Sequence, residues 1–350
     1  MRFFISLILL ACISAQNLQQ PRVSPAAEVR QTIGFSEIVV NYSRPQVNGR
    51  QIYGTSLAHN GMVASPYGLG TPAPWRAGAN ENTTFEITDD AMINGKKLPA
   101  GKYGLFMEVN PDKWTIIFNK DNKSWGNFFY IKDQDALRFD VTPKTIANRE
   151  ALIYYFDDIE QNSATLYMEW EKKQVSFKIE FDYYSVVMEN FRQQLSNIPG
   201  FGNGWIQAAT FCMNNKVNQE EAIRWADQSL KIYPNRFNDL SVKAGLLEQI
   251  GKKSEAETIM RNALANGSEA DINTYAYNLL AQKRFKEAID KFKSNTEKYP
   301  DSWNAFDSLA DAYGQSGDKK ESIRLYKKAL EMAPAAQKGR IQKLISDLQN

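Results

Sequence analysis

Four small residues, Ala222, Ala256, Ala288 and Ser322, recur through the last third of the chain at intervals of 34, 32 and 34. Around each the same pattern returns: a charged entry, the small residue, an aromatic or apolar residue four places on, and usually a Tyr-Pro or Ala-Pro close. That period marks helix-turn-helix units, each of which buries its apolar face only by stacking on its neighbours. Such a stack is built for contact rather than for catalysis.

The last unit is the clearest. Leu309-Ala310-Asp311-Ala312-Tyr313, Gly317, Ser322, Tyr326, Ala329-Leu330 and Pro334 resemble the tetratricopeptide pattern. Small residues let paired helices approach, Gly317 turns the chain, and Tyr326 fills the gap to the next helix. The preceding unit has Ala276, Ala288, Phe292 and Pro300, with Lys283 at the turn; the one before it has Ala244, Gly251, Ala256 and Ala263-Leu264, closing on Asn266-Gly267. Ala222 and Leu230 carry the most degenerate unit, the first. Four repeats are therefore expected over residues 203–336, with a capping helix over 337–350 that carries Ile341, Leu344, Ile345 and Leu348 on one face.

The tetratricopeptide resemblance implies that the first helix of each repeat lines a concave groove. Counting back from the small residues places Gln207, Phe211, Asn214, Asn238, Ser241, Glu248, Asn273, Tyr277, Asn304, Asp307, Asp311 and Gln315 there. This face is rich in amides and mildly acidic, without a Lys/Arg cluster to clamp a peptide carboxylate. It suits a neutral or basic protein segment; the alternative is that the chain's own β domain fills part of it.

The N-terminal half has a different period. Val175-Ser176-Phe177-Lys178-Ile179-Glu180-Phe181-Asp182 alternates apolar and polar residues, as a strand with one wet face does. Leu137–Thr142 alternates likewise, and so do Leu166, Met168 and Trp170, after which Glu171-Lys172-Lys173-Gln174 reads as a hairpin tip. Further strands are expected at 37–43, 83–88, 103–109, 114–119 and 152–157, with turns at Asn94-Gly95, Pro99-Ala100-Gly101 and Asn110-Pro111-Asp112. About nine short strands without intervening helices predict an antiparallel β-sandwich over 22–184. A short amphipathic helix, with Val187, Phe191 and Leu195 on one face, and a Pro/Gly loop then link it to the solenoid over 185–202. The fold class is thus multidomain: an antiparallel β-sandwich followed by an α-helical tetratricopeptide-like solenoid.

One stretch, Arg44 to Asn82, breaks the strand rhythm with many Gly and Pro. A loop this long in a compact domain is commonly functional. It carries Arg44, Arg50, Trp75, Arg76, Asn80 and Glu81, two Arg forks beside a Trp face that would suit a carboxylate, a phosphate or a sugar ring. The competing structural reading is that these residues peg the loop to backbone carbonyls. Four segments in order, Ser43–Arg50 (S-R-P-x-V-x-G-R), Trp75–Asn80 (W-R-x-G-A-N), Leu98–Tyr103 (L-P-A-G-x-Y) and Trp114–Asn119 (W-T-I-I-F-N), resemble a secreted bacterial family, the domain of unknown function numbered twenty-nine eleven. The resemblance spans about residues 22–183 and implies an extracytoplasmic β domain, without an established activity to carry over. Residues 54–74 are about a dozen longer than the family's link, so a pocket there would be reshaped or covered.

Little points to an enzyme. The single His, His59, reads as an exposed loop residue, which excludes a multi-His metal site, and no Gly-x-Ser-x-Gly elbow accompanies it. The acidic pairs Asp89/Asp90 and Asp157/Asp158 fit turns, and Glu169 with Glu171 fits a solvated hairpin tip. Gly101 and Gly104 read as turn residues, not a phosphate loop. No cofactor or metal is expected. The near-balanced charge, +2, argues against nucleic acid as a partner.

Arg2, the apolar residues 3–11 and Ile13-Ser14-Ala15 before Gln16 read as a removable secretory signal over 1–15, too short to span a bilayer. Leu9-Leu10-Ala11-Cys12 keeps a lipoprotein anchored at Cys12 as an alternative. A periplasmic or secreted protein without a transmembrane span is therefore expected. Once the signal is removed Cys212 alone remains, read as a small buried apolar residue. The leading functional expectation is a binding or scaffolding protein that docks another envelope protein; the alternative is a ligand- or glycan-binding module, or a hydrolase, using the 44–81 loop.

Overall fold

The structure is a computed structural model describing residues 20–197 and 203–349. The expected signal, including Cys12, and the Pro/Gly break after residue 197 lie outside the described residues. The chain divides into two compact units, one up to Asn190 and one from Phe191.

The first unit is all β. Strands β1 (Ala26–Ile33), β2 (Ser36–Ser43), β5 (Thr84–Ile87), β8 (Gly101–Glu108), β9 (Trp114–Asn119) and β10 (Asp135–Val141) form a six-stranded antiparallel sheet in the order β1-β2-β5-β8-β9-β10. A second sheet has the order β11-β12-β6-β7, from β11 (Lys144–Asp157), β12 (Ser163–Phe181), β6 (Ala91–Ile93) and β7 (Lys96–Leu98). A third, two-stranded ribbon pairs β3 (Val63–Ala64) with β4 (Pro72–Ala73) inside the long loop. Ile38, Val40, Phe85, Leu105, Ile116 and Phe118 of the first sheet share one core with Met168, Trp170, Phe177, Ile179 and Phe181 of the second, which makes the unit a sandwich. Asn94 and Gly95, at φ +48 and +78, close the tight hairpin between β6 and β7.

The expected hairpin tip at 171–174 is instead the middle of one 19-residue strand, β12. Its core-facing residues are Leu166, Met168 and Trp170, then Val175, Phe177, Ile179 and Phe181, so the alternation changes phase. Glu171 absorbs the change as a bulge, at φ +52, opposite Arg149 where the register with β11 shifts. Between the pairs Ile153/Glu169 and Lys144/Gln174, β11 advances nine residues and β12 five; without this change of phase every later apolar side chain of β12 would face water.

Two glycines read as turn residues lie within β8. At Gly104 an added Cβ would stand 2.3 Å from the Asp121 carbonyl oxygen, so its role is close backbone approach. His59 is half-buried rather than exposed, its Nδ1 lying 3.2 Å from the Gly61 carbonyl, and burial lowers its pKa.

In the helical unit, the later half of α1 (Tyr183–Asn197) sets Phe191 edge-on to Phe211 and Trp225. Four helix pairs follow: α2 (Gly204–Asn215) with α3 (Gln219–Ile232), α4 (Phe237–Gln249) with α5 (Lys253–Asn266), α6 (Glu269–Ala281) with α7 (Phe285–Lys298), and α8 (Trp303–Ser316) with α9 (Lys319–Met332). Helix α10 (Ala335–Gln349) closes the stack through buried Ile341 and Ile345. The four small residues of the period are all buried on second helices, and the Ser322 hydroxyl donates to the Ala310 carbonyl at 2.7 Å. Cys212 is buried and its thiol is pushed up to about 11 by desolvation.

The one short interval, 32, has a structural origin. Residues 233–236 and 299–302 link the pairs on either side, but only 267–268 join α5 to α6. Helix α4 packs on α3 and α8 on α7, whereas α6 scarcely touches α5. The apolar core divides at the same place, with Ala244, Leu247, Ala256, Met260 and Ala263 in one cluster and residues from Ala276 to Ile345 in another. Lys298 bridges the gap: its Nζ donates to the carbonyls of Ala265 (2.9 Å) and Gly267 (2.8 Å) at the end of α5.

Candidate binding surfaces

The loop after β2 is ordered by its own arginines and amides. Arg44 Nε donates to the Leu152 carbonyl at 2.9 Å, and Arg50 donates to the carbonyls of Val47 and Gln46. Arg76 donates to the Asn80 carbonyl at 2.8 Å and the Asn127 side chain at 3.5 Å, with its guanidinium 4.9 Å above the Phe128 ring. Burial lowers the Arg76 pKa. Asn80, at φ +61, donates to the Ser24 carbonyl and the Ser43 hydroxyl. Glu81 lies at the surface in an ion pair with Arg22 at 2.6 Å. The arginines and Asn80 thus spend donors on holding the loop.

Trp75 is drawn inward instead. It lies 2% exposed against Tyr53, Trp114 and Trp170, its ring planes within 16° of Trp170. Neither the Trp75 nor the Trp170 indole N–H has an acceptor. The motif tryptophans Trp75 and Trp114 therefore serve the sandwich core.

Glu169, expected on a solvated tip, is 7% exposed on the outer face of β12. It accepts from Tyr155, Gln174 and Arg149, a closed network fixing the bulge. Sequence reasoning missed this group because the phase change was taken for a turn.

In the solenoid the first helices α2, α4, α6 and α8 lie side by side, each packed on the next. Gln207, Asn214, Asn238 and Glu248 are exposed; Phe211, Asn273, Tyr277, Asn304 and Asp311 are half-buried; Asp307 is buried. Several already have partners. Glu248 lies 3.5 Å from Arg284, Asn304 donates to Glu269, and Gln315 donates to Asp311. Burial pushes Tyr277 up to about 12.

One position differs. Fifteen residues before each small residue of the period stand Gln207, Ser241, Asn273 and Asp307. In the last three a side-chain oxygen, Ser241 Oγ, Asn273 Oδ1 and Asp307 Oδ1, is buried without a hydrogen-bond partner. The other Asp307 oxygen accepts from Arg340 of α10 at 2.9 Å. Desolvation raises the Asp307 pKa, only partly offset by Arg340. Three equivalent helices thus bury, at one position of the repeat, a side-chain oxygen that has no donor among the described residues.

Residues 24–179 match the family described as "Protein of unknown function (DUF2911)", in keeping with the four-motif resemblance. The C-terminal part matches anaphase-promoting complex subunit 7 of Homo sapiens and of Mus musculus. Each is 28% identical over 115 residues, covering 33% of this chain and 20% of the relative, so the chain spans about a fifth of the length of the curated relatives it matches. Among solved structures, Pseudomonas aeruginosa pilF is similar at 21% identity and a TM-score of 0.28, over 42% of this chain and 66% of that one. MamA of Desulfovibrio magneticus RS-1 is similar at 16% identity and a TM-score of 0.26, over 41% and 93%.

Proposed function

We propose that this chain is an extracytoplasmic scaffold that holds a neutral or basic segment of another envelope protein along the first helices of its repeats. The observation carrying this reading is the row formed by Ser241, Asn273 and Asp307. A buried polar atom left without a partner destabilises a fold by about 1–3 kcal/mol. The same burden at one position in three successive repeats is hard to explain as packing. These oxygens are closed to solvent, so an extended chain would relieve the burden by drawing the side chains outward to its peptide N–H donors. The charge sense rests on Asp311, half-buried near the end of the row, since Asp307 is already paired with Arg340. The signal-like residues 1–15 motivate the extracytoplasmic assignment.

The small-ligand reading of the 44–81 loop has less support, because its arginines and Asn80 are used to fix the loop. The test of the scaffold is substitution along the row. In the native envelope, Ser241→Ala with Asn273→Leu should abolish co-purification of the partner while leaving the fold intact. Associations that survive these changes unaltered would refute the reading.

A further inference from the structure

We propose that the apolar surface shared by the long loop and the segment after β9 docks on an anionic lipid bilayer. This surface is separate from the solenoid row, and the proposal does not depend on it.

Two irregular segments run side by side here. The Leu69 N–H donates to the Phe128 carbonyl at 3.0 Å, Thr71 Oγ lies 3.5 Å from the Tyr130 carbonyl, and Asn127 donates to the Pro74 carbonyl. Beneath them Ala73, Phe106, Ile117 and Tyr130 form a small core of their own, which braces the segments from below. Above it six large apolar side chains remain in water: Val63 (44% exposed), Tyr67 (68%), Leu69 (50%), Trp125 (49%), Phe129 (47%) and Ile131 (43%). Large apolar side chains left exposed along two paired segments point to an interaction site. Gly68 permits it, since at φ +70 a Cβ would stand 2.1 Å from the Phe128 carbonyl oxygen and force the two segments apart.

The composition and surrounding charge point to lipid as the occupant. Trp, Tyr and Phe side chains standing on loops suit the headgroup boundary, where amphipathic rings are favoured. Lys123 and Lys132 stand beside Trp125 and Ile131 in sequence, are exposed, and form no salt bridge among the described residues. Of the nearby carboxylates Glu81 is paired with Arg22 and Asp135 with Arg138, whereas Asp121 and Asp133 have no cationic partner among the described residues. Unpaired lysines around an apolar centre match an anionic membrane surface. Arg22 lies 5.9 Å over the Trp125 ring, adding a cation beside the apolar side chains.

The experiment is flotation of the full chain with vesicles of phosphatidylglycerol and phosphatidylcholine, compared with vesicles of phosphatidylcholine alone. Binding is expected to the anionic vesicles, weakened by salt and lowered about tenfold or more by Leu69→Ser with Trp125→Ser. Lys123→Glu with Lys132→Glu, which removes no apolar contact, should lower anionic binding and spare whatever binding neutral vesicles show. Equal flotation of wild type and both double variants would overturn the proposal. So would a concentration-dependent dimer, without vesicle binding, that Leu69→Ser with Trp125→Ser abolishes, because the occupant would then be a second copy of the chain.

Discussion

The side-chain amide of Gln174 donates to the Glu169 carboxylate at 2.8 Å, although the two lie five residues apart on one strand and strict alternation would put them on opposite faces. The bulge at Glu171 brings them together, and Tyr155 and Arg149 complete the set. Burial pushes the Glu169 pKa up, but hydrogen bonds from Gln174, Tyr155 and Arg149 together hold it below the ordinary carboxylate value.

Glu169→Ala should therefore destabilise the β unit by about 1–3 kcal/mol at neutral pH, measured by urea unfolding. The pH dependence has a fixed sign. A depressed folded pKa stabilises above the unfolded carboxylate value, and that contribution is lost as pH falls through the folded one. Wild type should lose its advantage over Glu169→Ala below about pH 4.

Gly126 lies at φ +65, where an added Cβ would stand 2.3 Å from the Arg76 guanidinium. Gly126→Ala should lower stability by about 1–3 kcal/mol through backbone strain and the clash. In an Arg76→Ala background the penalty should shrink, leaving only the backbone part, which a double-mutant cycle of melting curves would read.

Lys298→Met removes the donor that closes the end of α5. Because Lys298 is exposed, the expected loss is small, about 0.3–1 kcal/mol. Its clearer sign should be faster amide hydrogen exchange around residues 264–268, where the two halves of the solenoid core part. Unchanged exchange would mean that the short link holds without it.

Cys212 should resist alkylation. With its thiol pushed up to about 11, on the order of one molecule in a thousand carries the thiolate at pH 8. Peptide mapping after maleimide treatment should find Cys212 unmodified until the chain is unfolded.

The period of the small residues carried the solenoid to within a few residues, because stacked repeats write their contacts locally. Most strands were legible for the same reason, their alternation being a direct record of one wet face. Residues 144–151 were not: Lys144, Thr145 and Arg149 pair with β12, in a stretch that shows no apolar alternation. The bulge was visible only as a change of phase at Glu171, which a turn would also produce. The 44–81 constellation suggested directed polar contact, but whether the partner is a ligand or the loop's own carbonyls depends on tertiary placement, which the sequence does not carry. The exposed surface around Trp125 had a trace in Phe128-Phe129-Tyr130-Ile131, an apolar run that reads as strand yet has alternate residues left in solvent.

The central claim concerns the row Ser241, Asn273 and Asp307. A photo-cross-linking residue placed at exposed Asn238, beside the row, would be activated in the native envelope, and joined peptides identified by mass spectrometry. The account predicts cross-links to an extended, neutral or basic segment of another protein, lost when Ser241→Ala and Asn273→Leu are added. It also predicts that these two changes leave the isolated chain as stable or more stable, by up to about 1 kcal/mol each. Cross-links that persist with both changes, or none from the row at all, would contradict it.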